Sequence, residues 1–265
     1  MTCVVITGST RGIGRGLAKE FLELGAKVVV SGRSQPAVDE VVALLAQTYG
    51  EDKVTGKACD ITDVEALKGL WSHAKERFGK VDHWINNAGM SITRANIHQQ
   101  APSELSRIID TNLTAVLLAA NVVIEGLVEQ QGGTFWVMEG FGSNGATQPG
   151  MTAYGASKRA VTYVAKALQK EVKGTGVNVN YLSPGIVVTD LLIGDYDTSS
   201  QEWQKSKRIF NILGDRVETV TPYLAKGVLA ASKSGTRVAW LTGGKAFARF
   251  MSAPFKKREL FADLP

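Results

Sequence analysis

The chain has 265 residues, 44% of them hydrophobic and 21% charged, with a formal net charge of +5. That length and balance suit one α/β domain with a buried core and exclude a disordered or fibrous chain. The mild positive charge comes with no nucleic-acid motif, so DNA or RNA binding is not expected, and no uninterrupted apolar run reaches the roughly 18 to 20 residues of a membrane span.

The first residues, Met1-Thr-Cys-Val-Val-Ile-Thr7, lead directly into a glycine-rich stretch without the charged start of a signal peptide. Short β-branched runs then alternate with amphipathic stretches. The spacing predicts strands over 3–7, 27–31, 53–59 and 83–86, then 134–138, 177–182 and 238–241. Helices are expected over 14–24, 37–49, 64–78 and 104–129, and Tyr154 reads as the first turn of another. This alternation specifies a parallel sheet with right-handed crossovers. No repeat, linker or composition shift interrupts it, so residues 1–265 are expected to form one domain.

Between Thr189 and Arg216 the strand signals fade, and the centre is polar, with Asp195, Asp197, Ser199 and Ser200. An insertion after a late strand overhangs the carboxyl end of an open sheet, where ligands bind. The segment is therefore a substrate lid or an ordinary surface excursion. The basic tail, about 246–265, carries Lys256-Lys257-Arg258 beside Phe255, Leu260 and Phe261. It is either solvated or an amphipathic contact with a membrane surface, an acidic partner or a subunit.

Cys3 and Cys59 lie in apolar runs and are expected as packed thiols without a disulfide framework. That fits a reducing, cytoplasmic or stroma-like compartment. His73, His83 and His98 fall at no metal-ligand spacing, so no metal site is expected.

Thr7-Gly8-Ser9-Thr10-Arg11-Gly12-Ile13-Gly14 follows the first strand and opens the first helix. Glycines allow a tight turn and close approach to a pyrophosphate, and the helix start offers unpaired N–H groups and a favourable dipole. The second strand ends Val30-Ser31-Gly32-Arg33, without the carboxylate that would bind an adenosine 2′-hydroxyl. Arg33 and Arg11 are instead placed to clamp a 2′-phosphate, which favours NADP(H); otherwise they are two solvated arginines. Asp60, followed by Ile61, lies just past the third strand, placed to accept from the adenine amino group.

Tyr154 and Lys158, within Y-G-A-S-K, share one helix face at i and i+4. A nearby ammonium favours phenolate and lowers a tyrosine pKa from about 10, suiting Tyr154 to donate a proton near neutral pH. Residues at this spacing can also be mere helix neighbours.

Thr7 to Gly14, Asn87-Ala88-Gly89, Asn112, Tyr154-x-x-x-Lys158 and Pro184-Gly185 occur in an order that resembles the classical short-chain dehydrogenase/reductase family over about residues 2–245. The resemblance implies a Rossmann-type doubly wound α/β fold, with seven parallel strands flanked by helices, and carbonyl–alcohol interconversion with a nicotinamide cofactor. It places Asn87, Ala88 and Gly89 beside the adenosine ribose, and Pro184, Gly185, Val187 and Thr189 at the nicotinamide end. Asn112, poorly suited to an apolar helix, would hold a water linking Lys158 to solvent. Lys158 would also bind the nicotinamide ribose, and Tyr154 would protonate the alkoxide formed by hydride delivery. A homodimer or homotetramer through helices including that of Tyr154 is implied as well.

Most family members place a serine thirteen residues before the tyrosine; here that residue is Phe141. Ser143 either takes over as a catalytic residue or caps a turn, and Glu139 is an unusual neighbour for a developing oxyanion. V-M-E-G-F-G-S, A-Y-G-A-S-K-R and L-S-P-G-I-V-V-T-D-L-L resemble the chlorophyll b reductases of the superfamily. The implied substrate is the formyl group of chlorophyll b or chlorophyllide b, reduced to hydroxymethyl beneath a wide lid, with peripheral membrane contact through the tail. The rivals are a reductase of another ketone or aldehyde, and an NADP(H)-binding regulator that has lost catalysis.

Overall fold

Seven strands, all parallel, form the central sheet in the order β3 (Val54–Ala58), β2 (Lys27–Gly32), β1 (Cys3–Ile6), β4 (His83–Asn86), β5 (Gly133–Met138), β6 (Val177–Ser183) and β9 (Arg237–Ala239). The computed structural model describes residues 1–194, 196 and 198–262; Asp195 and Asp197 of the expected lid centre lie outside the described residues, as do 263–265 of the tail. The first half runs β1 (Cys3–Ile6), α1 (Gly12–Glu23), β2 (Lys27–Gly32), α2 (Gln35–Tyr49), β3 (Val54–Ala58), α3 (Val64–Phe78) and β4 (His83–Asn86). Next come α4 (Pro102–Ile109), a π turn (Asp110–Thr114), α5 (Ala115–Glu129), β5 (Gly133–Met138), α6 (Thr152–Glu171) and β6 (Val177–Ser183). The chain ends with β7 (Val187–Val188), α7 (Asp190–Ile193), α8 (Gln201–Leu213), β8 (Asp215–Arg216), α9 (Val217–Ala230), β9 (Arg237–Ala239) and α10 (Gly243–Ser252).

A parallel sheet must be covered on both faces, which is why β1 and β4 are buried along their whole length. Leu67 and Trp71 of α3, Val123 and Leu127 of α5 and Val161 of α6 pack on one side. Leu17 and Phe21 of α1, Val38 and Val41 of α2, and Leu224 and Val228 of α9 pack on the other. The doubly wound, seven-stranded arrangement read from the sequence is therefore the observed one, and Cys3 and Cys59 are free, buried thiols.

Three details differ. The helix expected over 104–129 begins at Pro102, a favoured first position, and contains the π turn. Pro102–Glu129 is long and apolar enough to cross a membrane; its most apolar stretch has mean hydropathy 1.6, and half of that stretch is buried. Asn112 and Asn121 break its apolar runs, so uninterrupted runs do not reveal it. The last strand ends at Ala239 rather than Leu241.

The 187–216 segment is the third difference. Its ends are clipped by the β7–β8 pair, Val187 opposite Asp215 and Val188 opposite Arg216. Trp203 and Phe210, seven residues apart on one face of α8, build a small core with Ile186, Leu192 and Tyr196. The tail supplies its third buried aromatic: Phe261 packs edge-on against Trp203, ring centroids 5.3 Å apart. Arg258 bonds Asp215 at 2.6 Å and the Ile212 carbonyl at 3.0 Å, so part of the basic tail is internal structure. Burial alone would raise the Asp215 pKa, but hydrogen bonds from Arg249, Trp240 and Arg258 outweigh it and hold the carboxyl below its ordinary range. Phe261→Ala should cost about 3 kcal/mol by leaving a cavity in this cluster. Faster hydrogen exchange across 201–213, with the central sheet unchanged, is the expected readout.

Candidate active site

The strand order reverses between β1 and β4, which opens a crevice at their carboxyl ends. The glycine loop from β1 to α1 borders it. Ser9 Oγ donates to the Ile6 carbonyl at 2.7 Å and accepts from the Ser31 amide at 2.9 Å, fixing the loop to β2. Thr7 Oγ1 accepts from the Asn87 and Ala88 amides at 3.2 and 3.1 Å. Asn87 Nδ2 donates to the carbonyls of Thr7 and Gly8, both at 2.9 Å. Asn87 and Ala88 thus brace the loop from β4. Gly8 has φ +63°, and a Cβ there would stand 2.8 Å from Ala88 Cα, so the close approach excludes any side chain.

Arg11, the N-cap of α1, makes no side-chain capping bond, and the helix begins with Gly12, Ile13 and Gly14. A helix start whose N-cap side chain makes no capping bond, beside a glycine that admits no Cβ, fits a pyrophosphate. Thr189 reaches this point from across the crevice, its Cγ2 lying 3.6 Å from where a Gly12 Cβ would be. Thr189 Oγ1 also caps α7, accepting from the Leu192 amide at 3.4 Å. Pro184 and Gly185 follow β6, and Val187 is buried.

Arg33 and Arg11 are both exposed, and Thr10 packs over Gly32 at the end of β2. Arg11 lies 3.8 Å from Asp190, an open pair that contributes little. Asp60 Oδ1 accepts from Thr62 N–H and Oγ1 at 3.0 and 2.7 Å. These bonds, aided by Arg33, hold the Asp60 carboxyl below its usual range. Ile61 is partly buried against the α3–α5–α6 core.

On the other side of the crevice, α6 begins at Thr152 and carries Tyr154 and Lys158 on its first two turns. Lys158 is buried, donates to the Met138 carbonyl at 3.3 Å, and stands 5.9 Å from the Tyr154 ring centroid. Burial pushes the Lys158 ammonium down to about 8. Asn112 is buried in the π turn, where the ordinary helical ladder is disturbed. Its Oδ1 accepts from the Met90 amide at 2.9 Å, while Nδ2 donates to the Met90 carbonyl at 2.9 Å and to Ser157 Oγ at 3.2 Å. Ser157 in turn donates to the Tyr154 carbonyl at 2.7 Å. Both amide donors of Asn112 are engaged, so the expected hold on a water falls to its oxygens. Gly89 closes the group: a Cβ there would lie 3.3 Å from Asn112 Oδ1 and 3.7 Å from Lys158 Nζ.

In space, the loop after β5 brings a different residue to the phenol from the one that a count along the chain picks out. Phe141 is partly exposed, and it is Gly140 whose Cβ direction meets the Tyr154 hydroxyl, at 2.5 Å. Ser143 Oγ accepts from the Gly140 amide at 3.1 Å and donates to the Lys158 carbonyl at 3.4 Å, the arrangement of a turn cap. Glu139 reaches the edge strand, 2.8 Å from Arg237 of β9. Burial raises the Glu139 pKa against the pull of that arginine.

Three residues were missed from the sequence. Ser157 was visible inside Y-G-A-S-K. Gly140 could be found only by knowing how the loop turns. Arg94, from the loop after β4, lays its guanidinium 4.3 Å over the Tyr196 ring and so joins that loop to the 187–216 segment; no local pattern signals it.

A doubly wound sheet with a braced glycine loop on one side of its crevice and a Tyr–Lys helix on the other defines a dinucleotide-fold oxidoreductase. The chain belongs to the short-chain dehydrogenase family, whose profile, described as short chain dehydrogenase, matches residues 2–199. It is 36% identical over 258 residues to chlorophyll(ide) b reductase NOL, chloroplastic, of Oryza sativa subsp. japonica, covering 94% of this chain and 74% of the relative. The Arabidopsis thaliana protein of the same name is 35% identical over 258 residues, with 94% and 72% covered. Among solved structures, a 7α-hydroxysteroid dehydrogenase complexed with NADH and 7-oxo glycochenodeoxycholic acid superimposes with TM-score 0.79 at 24% identity, covering 91% of this chain and 93% of that one.

Proposed function

We propose that this protein uses NADPH to reduce the formyl group of chlorophyll b or chlorophyllide b to hydroxymethyl. The reaction rests on one arrangement: Tyr154 sharing a helix face with the buried Lys158, across the crevice from the uncapped glycine loop. The substrate rests on the similarity to the two chloroplastic reductases. The domain is 1–265, with 189–216 as the lid over the crevice.

The glycine loop, Gly8 to Gly14, would hold the pyrophosphate, with Arg11 and Arg33 at the 2′-phosphate and Asp60 and Ile61 at the adenine. Asn87, Ala88 and Gly89 would line the ribose, and Pro184, Gly185, Val187 and Thr189 the nicotinamide end. Bound there, NADPH supplies a hydride. Tyr154 carries the proton at Oη and delivers it to the substrate oxygen, and the Lys158 cation keeps that phenol acidic. Asn112 and Ser157 fix the helix register of the pair, Ser143 holds the Gly140 turn beneath it, and the lid excludes water. A soluble, stroma-like or cytoplasmic setting suits free thiols at Cys3 and Cys59. The outer face of α6, with Ala156, Ala160 and the exposed Tyr163, suits a homodimer or homotetramer.

NADPH oxidation should be followed with a carbonyl panel that includes chlorophyllide b. Turnover of that pigment to its hydroxymethyl product is expected. Turnover of steroids or small ketones alone removes the pigment assignment. Tight NADPH binding without any turnover leaves the cofactor-binding regulator.

Arg33→Ala should weaken NADPH by roughly tenfold or more, the worth of one charge-assisted contact, and NADH hardly at all. Equal losses, measured by fluorescence titration, take Arg33 out of phosphate recognition. The Lys158 ammonium, held at about 8 by burial, is charged below that pH and loses its charge above it. For the free enzyme, kcat/KM for reduction should therefore fall as pH rises through about 8. Lys158→Arg, which stays charged, should remove that limb even where turnover is slower. A limb unmoved by this change belongs to another group.

A further inference from the structure

A surface helix ordinarily turns its apolar stripe to the core; α10 does the reverse. None of its residues is buried. Phe247, Phe250 and Met251 stand at i, i+3 and i+4, on one face, and are 68%, 45% and 62% exposed. Phe255, just beyond the helix, continues the apolar series at 88% exposure. Polar contacts help attach α10 to the protein. Arg249 donates to the Leu213 carbonyl at 2.8 Å and pairs with buried Asp215 at 2.7 Å, and Thr242 caps the first turn.

Lys256 and Lys257 follow Phe255 and are exposed. Between Gly243 and Ala262 the sequence has five basic residues and one acidic residue. Arg249 and Arg258 are committed to Asp215 and Lys245 lies over the Trp240 ring, which leaves Lys256 and Lys257 to present positive charge beside the apolar stripe. Aromatic and thioether side chains facing outward next to lysines match the apolar depth and negative headgroups of an anionic bilayer. A second copy of the chain is a poorer match, since a two-fold contact through this face would crowd like charges at its rim.

We infer that the outward face of α10 with Phe255, Lys256 and Lys257 is a docking surface for anionic lipid, seated beside the lid. Through Arg249 and Asp215, α10 is tied to the base of α8, so a docked bilayer would lie next to the segment that covers the crevice. Lipid attachment here needs no particular substrate, and its failure would leave carbonyl turnover untouched.

The test is co-sedimentation of the full chain with phosphatidylcholine vesicles, with and without phosphatidylglycerol, at low and high salt. Binding should require phosphatidylglycerol and weaken with salt. The double variants Phe247→Ser/Phe250→Ser and Lys256→Glu/Lys257→Glu should each bind at least about tenfold more weakly, with unchanged circular dichroism and NADPH oxidation. No binding of the wild type, or equal binding by wild type and both variants, overturns the inference. So does a dimer in sedimentation velocity that the Phe247→Ser/Phe250→Ser change dissolves while vesicles stay unbound, since the face then belongs to a second copy.

Discussion

Tyr154→Phe is expected to lower carbonyl reduction by roughly 10²- to 10⁴-fold, the usual worth of a positioned general acid, while leaving NADPH affinity nearly unchanged. The two effects separate because the substitution removes one oxygen and little else. Lys158 keeps its bond to the Met138 carbonyl, and Ser157 bonds the main chain of residue 154 rather than its side chain. The glycine loop is braced by Thr7 and Asn87. Single-turnover kinetics and a fluorescence titration of NADPH give the two numbers. A variant that still reduces the substrate at the wild-type rate would falsify the assignment of Tyr154 as the proton donor.

What could be read from the sequence was what local chemistry dictates. Val4 to Ile6, Val28 to Val30 and Phe135 to Val137 are strand runs that water cannot cover, and the helices between them carry a single apolar stripe. Thr7 to Gly14 and Tyr154 to Lys158 are short segments whose residues lie close along the chain, so their geometry follows from spacing. The remainder depends on partners distant in sequence. Arg258 and Asp215 are 43 residues apart, and nothing around either one shows that a basic tail will fold back on a buried carboxylate. Phe261 likewise reads as an exposed tail residue until Trp203 and Phe210 are seen to need a third ring. The π turn at Asn112 arises where the side chain is drawn to the Met90 backbone, 22 residues back. In each case a long-range polar or aromatic contact overrides what the local pattern suggests.

Along the chain Phe141 holds the usual serine position, whereas in space it is the Cβ direction of Gly140 that meets the phenol, and this leads to the second large effect. Gly140→Ala should severely reduce turnover while leaving the fold intact. The added Cβ would lie 2.5 Å from Tyr154 Oη, 3.2 Å from its Cζ and 3.3 Å from Lys158 Cγ, so the phenol has to move. A displacement of about 1 Å at a reacting group can cost on the order of 100-fold in rate. Gly140 does not have a positive φ, so alanine brings no backbone strain and the melting temperature should change little. Ser143→Ala is the control in the same loop. It removes the bonds to the Gly140 amide and the Lys158 carbonyl, each worth about 1 kcal/mol, and should lower stability more than rate. The reverse pattern, with Ser143→Ala nearly inactive and Gly140→Ala active, would return the missing serine's role to Ser143. The expected order places Gly140 under the phenol as the position where this chain gives up a hydroxyl.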